Sequence, residues 1–201
     1  MWAMENVMHT DTLLIQRAQA NDRTAFNEIV LRYKSKVYNY ISRMVRSSAD
    51  AEDLTQETFV RAYLSIHSFQ SRASLNTWLF RIATNLCIDF SRKTKAHIQA
   101  SSLSQTCYED DDTGSQRDIL DVSYDPQRVL ISKELGRELD TALSQLPEKL
   151  RTVILLYDME GLSYEEISSI VNVPLGTVKS RIFNARAQLR EALAPYLKGV
   201  Y

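Results

Sequence analysis

Apolar residues recur along this chain at three- and four-residue intervals, the spacing that gathers them on one side of a helix. Within residues 25–45, Phe26, Ile29, Val30, Tyr33, Val37, Ile41 and Met44 form such a stripe and predict a long core helix. A shorter helix is expected before it, over residues 11–20. Residues 47–66 predict the next helix. Ser48 or Asp50 are its candidate N-caps, and Asp50, Glu52 and Asp53 lie early enough to complement its dipole. Across residues 74–95, Leu75, Trp78, Leu79, Ile82, Leu86 and Phe90 predict another inward stripe. That leaves Phe80, Arg81, Thr84, Arg92 and Lys95 facing away, with Asn85 at the margin. Farther along, Leu135, Leu139, Ala142 and Leu146 line one helix. Pro147 restarts the chain, Val153, Ile154 and Leu156 belong to the next helix, and Gly161 stops it.

The sharpest local pattern runs over residues 161–189, where a short helix, a tight turn and a longer helix are expected. Ser163 is placed to N-cap the short helix, and Glu166, three residues on, completes a capping box. Ile167 and Ile170 supply its apolar side. Asn172-Val173-Pro174 ends it, because Pro174 lacks an N–H and disfavours a helical residue before it. Pro174 then suits the first position of the following helix. That layout is a helix-turn-helix. In the second helix Val178, Ile182, Ala185 and Leu189 share one stripe, so Lys179, Ser180, Phe183 and Asn184 point outward. Thr177 stands beside them at the start of the helix, and Arg186 and Arg190 are on the flank.

Composition narrows the picture. The 201 residues suffice for one large or two small domains, and only 5 Gly and 4 Pro favour long helices over many strands. No apolar run approaches the ~20 residues of a membrane span, and residues 1–14 lack the basic start and apolar core of an export signal. Cys87 and Cys107 are not closely spaced, which points to a reduced, cytoplasmic setting. The formal net charge of −1 hides a segregation. Over residues 109–125, seven carboxylates (Glu109, Asp110, Asp111, Asp112, Asp118, Asp121 and Asp125) face Arg117 alone, and the flanking parts are basic. Such a run reads as a self-repelling tether. The expected fold is therefore all-α, two helical domains joined by a flexible acidic linker, with the helix-turn-helix in the C-terminal one. The boundaries fall at residues 10–96, 97–128 and 129–198.

An outward Phe183 among cations and hydrogen-bonders suits a DNA major groove, where phosphates, base edges and thymine methyls meet those groups. A solvated basic helix face with Phe183 tucked against a neighbour is the other reading. Trp78, Phe80, Arg81 and Asn85, with Arg72 in the polar loop before them, mix rings, cations and an amide as single-strand binders do. Core packing alone also accounts for Trp78. The polar side with Asp53, Gln56, Glu57 and Arg61 fits either solvent or a protein partner.

Three blocks in this order resemble the signatures of bacterial sigma factors: DAEDLTQETFVRAY, TWLFRIATNLCIDF and LPEKLRTVILLYDMEGLSYEEISSIVNVPLGTVKSRIFNARAQL. They are most similar to the extracytoplasmic-function (ECF) subfamily of the sigma-70 family, which has only the second and fourth sigma domains. The resemblance implies a transcription initiation factor that binds core RNA polymerase, directs it to promoters and helps melt the DNA. It assigns Asp50, Asp53, Gln56 and Glu57 to docking on the clamp helices of the largest subunit. Arg72, Trp78, Phe80, Arg81 and Asn85 would capture one strand of the downstream promoter element. Thr177, Lys179, Ser180, Phe183, Asn184 and Arg186 would read the upstream element as duplex. The flap of the second-largest subunit and an anti-sigma factor are further implied partners. Phe80 and Asn184 stand where close relatives often carry tyrosine and a basic residue.

A stand-alone helix-turn-helix regulator is the alternative, and it would dimerise on an inverted repeat. Enzyme readings have little material. His9, His67 and His97 are scattered, no ligand-spaced cysteines suggest a metal, and no Gly-rich loop suggests a nucleotide cofactor, so no cofactor is expected.

Overall fold

A computed structural model describes residues 2–45, 47–70, 73–101 and 126–197, and among these the chain is helix and turn without a strand. Helices α1 (Trp2–Gln19), α2 (Arg23–Met44), α3 (Ser48–Ser65) and α4 (Leu75–Ser101) build an N-terminal unit. Helices α5 (Pro126–Gln145), α6 (Glu148–Ile154), α7 (Tyr164–Val171) and α8 (Leu175–Leu197) build a C-terminal one. Arg72 and the acidic run of residues 109–125 lie outside the described residues.

Helix α2 is the spine of the N-terminal unit. Asp22 caps it, accepting from the amides of Thr24 and Ala25 at 2.9 and 3.3 Å. Those bonds, with Arg17 at 2.9 Å, hold the Asp22 carboxyl well below its usual range, the Thr24 side-chain bond contributing most. The expected stripe is buried, with Val30 half-covered and Tyr40 added to it. In α3 the cap is Ser47 rather than Ser48 or Asp50. Its hydroxyl accepts from the Asp50 amide at 3.3 Å, which puts Asp50 in the first turn.

Helix α4 departs from expectation. Its covered side includes Leu75, Leu79, Phe80, Ala83, Thr84, Leu86 and Cys87, while Trp78, Ile82 and Phe90 are only half-buried. The inward face is thus wider than the hydrophobic stripe and turned by about one residue, ~100°. The cause is tertiary. α4 packs against α2 and α3 on one side and against α7 on another, so a single-stripe reading covers only part of what is buried. Burial also pushes the Cys87 thiol up to about 12, which keeps it inert.

In α5, among the side chains from Glu134 onward, only those of the last turns are inside. Ala142, Leu143 and Leu146 are buried, whereas Leu135 and Leu139, expected inward, are exposed. Helix α6 relaxes into a π-helical turn, Leu155–Met159, and Gly161 ends it at φ +67°, a conformation glycine adopts without strain. Side chains of both units enter one contiguous core. Polar contacts knit the seam as well. Arg43 pairs with Asp140 at 3.0 Å, Glu148 accepts from Ser91 and from Lys95 (3.0 Å), and Arg151 donates to the Met44 carbonyl at 3.2 Å.

Candidate nucleic-acid interface

The helix-turn-helix forms as its sequence dictates. Ser163 Oγ accepts from the Glu166 amide at 3.2 Å, and the Glu166 carboxylate accepts from the Ser163 amide at 2.9 Å, a reciprocal capping box. Asn172 closes α7 in the left-handed region at φ 51°, and Ser168 donates to the Val173 carbonyl at 2.6 Å to tie down the turn. Pro174 stands one place earlier than expected. Its carbonyl accepts from Thr177 and Val178, so it precedes α8 rather than opening it. Val178, Ile182 and Ala185 are buried and Leu189 is half-buried, which fixes the rotation of α8.

That rotation leaves Lys179, Ser180, Phe183 and Asn184 in solvent, with Thr177 half-covered beside them. Phe183 is 73% exposed, so no neighbour shelters it and the tucked-ring reading fails. Ser180 donates to the Thr177 carbonyl at 3.0 Å, leaving its lone pairs to accept from a base-edge amino group. Arg186 is also exposed, but its guanidinium is engaged by the Asp158 carboxylate.

On α4 the expected strand-binding residues separate. Arg81 and Asn85 are exposed, and Trp78 is half-buried with its ring edge-on to Phe69 at 5.0 Å. Phe80 does not join them. It is 0% exposed and packs T-shaped against Tyr40 at 5.2 Å, so the expectation of Phe80 on the free face is corrected. Thr84 is inside too, 2.8 Å from the Tyr40 hydroxyl. Sequence spacing did not reveal this buried polar pair, because a tyrosine and a threonine 44 residues apart carry no shared periodic signal.

The α3 face holds a surprise of the opposite kind. Asp53 and Gln56 are exposed, while Asp50 and Glu57 are half-buried and Glu57 pairs with Arg61 at 2.7 Å. Beside them opens a groove of about 670 Å3 between α2 and α3, lined by Phe26, Val30, Phe59, Val60, Tyr63 and Leu64. Val60 and Leu64 are exposed there at positions outside any inward stripe. Arg23, Lys34 and the amides of Asn27 and Gln56 edge this apolar surface, and the carboxylates of Asp53 and Glu57 lie on the same helix as its α3 wall.

The seam between the units runs beside Arg81 on α4, through Thr77, Ser91 and Lys95. Thr77 of α4 donates to Glu166 at 2.5 Å, so one carboxylate both caps α7 and anchors it to α4. Partial burial pushes the Glu166 carboxyl up, but the Thr77 and Ser163 bonds outweigh that and hold it below its usual range. Glu160 shows the reverse balance. Burial pushes its carboxyl up to about 7, although Lys36 and Arg43 of α2 pull it down.

Comparison with known proteins agrees with this layout. Sigma-70 region 2 matches residues 29–97, and Sigma-70, region 4 matches residues 136–189. The ECF RNA polymerase sigma-E factor of Haemophilus influenzae is 37% identical over 94% of this chain and 97% of its own length. That of Escherichia coli K12 is 36% identical, again over 94% and 97%. Among solved structures, the sigma factor RpoE from Bartonella quintana, in complex with the anti-sigma factor NepR, is 27% identical with a TM-score of 0.64. The match covers 84% of this chain and 96% of that one. CnrH, in complex with the cytosolic domain of CnrY, shares the fold at a TM-score of 0.65 over 92% of this chain and 98% of its own, at 24% identity. The presence of both sigma regions disfavours the stand-alone regulator. The chain belongs to the ECF sigma factors of the sigma-70 family, the factors that start transcription by bacterial RNA polymerase.

Proposed function

We propose that the two units divide promoter recognition between paired and unpaired DNA. The C-terminal unit, residues 129–198, reads the upstream element as duplex. Lys179 meets phosphate, Ser180, Asn184 and Thr177 meet polar base edges or backbone, and Phe183 meets thymine methyls. The fully presented ring of Phe183 between hydrogen-bonders and a cation is the observation that carries this reading. The N-terminal unit, residues 10–96, holds one strand of the downstream element with Trp78, Arg81 and Asn85 of α4. Arg72 of the preceding loop is assigned to the same contact from sequence. Rings stack on unpaired bases and cations follow phosphates, which offsets the cost of opening.

Core polymerase docks on α3 through Asp50, Asp53, Gln56 and Glu57. The groove lined by Phe59, Val60 and Leu64 receives an apolar side chain of the clamp helices, and the C-terminal unit rests on the flap. The acidic segment, residues 97–128, links the units. Linkage converts two modest contacts into one strong one. The solved relative RpoE is in complex with the anti-sigma factor NepR, and an anti-sigma factor is the regulatory partner proposed here. The site of action is the cytoplasm, where polymerase and promoter are; no helix among the described residues is long and apolar enough to cross a membrane. The role is to position an enzyme, with no catalysis by the chain itself.

Run-off transcription with purified core polymerase on a promoter library tests the reading. The factor should direct initiation from a defined promoter set. In that assay Lys179→Ala should weaken all promoters, whereas Ser180→Ala or Asn184→Ala should change which upstream elements are preferred. Equal losses on matched and scrambled elements for all three variants contradict the assignment.

A further inference from the structure

Alongside the recognition face runs a four-member stack that the DNA-reading residues themselves do not explain. Tyr157, from the π-helical turn, and Tyr164, the first residue of α7, lie ring on ring with centroids 4.8 Å apart and planes 4° from parallel. The Lys179 ammonium sits over the Tyr164 ring at 5.6 Å. The Arg186 guanidinium sits over the Tyr157 ring at 5.1 Å. Lys179 and Arg186 are seven residues apart on α8, about 10.5 Å along its axis at ~1.5 Å per residue. The tyrosine pair therefore bridges from one end of the face to the other.

The two ends differ electrically. Asp158 engages Arg186 through both carboxylate oxygens, the guanidinium Nε approaching at 3.2 Å, and this pairing holds the arginine above its usual range. Lys179 has no carboxylate within ion-pair distance among the described residues. A phosphate approaching Lys179 meets a cation that no carboxylate neutralises and that can keep its place over Tyr164. One approaching Arg186 must first displace an existing partner, and such an exchange gains little net energy.

We propose that Tyr157, Tyr164 and Asp158 are positioning residues for duplex recognition: the stacked rings set where Lys179 stands beside Phe183, and Asp158 withholds Arg186 from the phosphates. The stack gives Lys179 a preferred geometry before DNA arrives, so less side-chain freedom is lost on binding. Withholding Arg186 keeps the sequence-independent share of binding small. The base contacts of Ser180, Phe183 and Asn184 then account for more of the discrimination. This inference rests on the proposed reading of α8 as the duplex reader.

The test uses the full chain with core polymerase and a labelled upstream duplex recovered from the promoter library, beside its scrambled counterpart. Binding is measured across salt concentrations. Asp158→Asn should tighten both duplexes, steepen the log–log salt slope by about 0.9 and shrink the ratio between matched and scrambled. In an Arg186→Ala background the same change should do nothing. Replacing both tyrosines with leucine should weaken matched binding roughly 2- to 5-fold, on the scale of the one exposed cation–π contact that holds Lys179. Replacing both with phenylalanine, which keeps the faces, should restore it. A gain from Asp158→Asn that persists without Arg186 is mere removal of a repelling charge and overturns the withholding. Phenylalanine variants no better than leucine ones, at equal thermal stability, overturn the stack. If the unaltered chain with core polymerase shows no preference for the matched duplex, it is the duplex-reading assignment that fails.

Discussion

The two helices proposed to meet DNA carry aromatic rings at comparable points in their patterns and treat them in opposite ways. In α8, Phe183 projects 73% exposed. In α4, Phe80 is sealed against Tyr40 and Trp78 is half-covered against Phe69. In α8 the partners α5, α6 and α7 all pack on the side of Val178, Ile182 and Ala185, which leaves the opposite side bare. In α4 the partners α2, α3 and α7 cover a wider arc, from Leu75 and Leu79 round to Phe80 and Thr84, so less of its circumference is left for a ligand. A reader of paired DNA needs only a protruding edge that fits a groove. A holder of unpaired bases needs rings braced from behind, and Phe69 behind Trp78 is such a brace.

The largest effect that separates the two helices is in stability. Phe80→Ala should destabilise the chain by about 3–5 kcal/mol, the usual cost of deleting a buried phenylalanine. Phe183→Ala should leave the denaturation midpoint almost unmoved while weakening the matched upstream duplex. Chemical denaturation of both variants beside a binding titration checks this, and comparable destabilisation by the two would erase the contrast.

A second effect lies at the seam. Glu160 has a folded-state value of about 7 against an ordinary 4.5. Between these values the folded chain holds a proton that the unfolded chain has lost, so its contribution to stability declines as pH rises through that window. Glutamine cannot ionise. Glu160→Gln should therefore gain on the parent between about pH 5 and about pH 8, by on the order of 1 kcal/mol for a partly solvated site. Equilibrium unfolding at the two pH values measures it, and parallel behaviour of parent and variant would show that the carboxyl is not held at the seam as described.

Smaller still, Ser163→Ala should remove about 1 kcal/mol by breaking the capping box. Because Glu166 also accepts from Thr77, the loss should be accompanied by looser packing of α7 on α4, read as faster amide exchange in α7. Finally, Arg81→Ala should lower run-off transcription several-fold from a closed promoter, on the scale of one phosphate contact of about 1 kcal/mol. The defect should narrow on a template with a pre-opened bubble, where strand separation is already supplied.

Much of the architecture was legible in the residues. Ser163 and Glu166 announced the capping box, Gly161 the stop before it, and the Val178–Ile182–Ala185 spacing oriented α8 correctly. These are local rules, settled within one or two turns of chain. The errors share a different origin. Leu135 and Leu139 were assigned inward on α5 because they continue a stripe, but the helix outruns the partners that would cover it. Phe80 and Thr84 were assigned outward because they interrupt a stripe, but α4 is covered on more sides than one. The α2–α3 groove escaped notice because Val60 and Leu64 are off-pattern on α3, and off-pattern apolar residues look incidental until a second helix lines up beside them.

The order of local signals along the chain determined by itself that this protein is helical, that it has two units, and which helix presents Lys179, Ser180, Phe183 and Asn184 to solvent. Backbone sterics, capping and helical period act over a few residues and are written in consecutive letters. Tertiary structure alone decided that Phe80 belongs to the core, that Glu166 ties α7 to α4, and that Asp158 and the Tyr157–Tyr164 stack stand beside the recognition helix. Those outcomes depend on which surfaces meet across tens of residues, and burial is a property of the pair rather than of either segment.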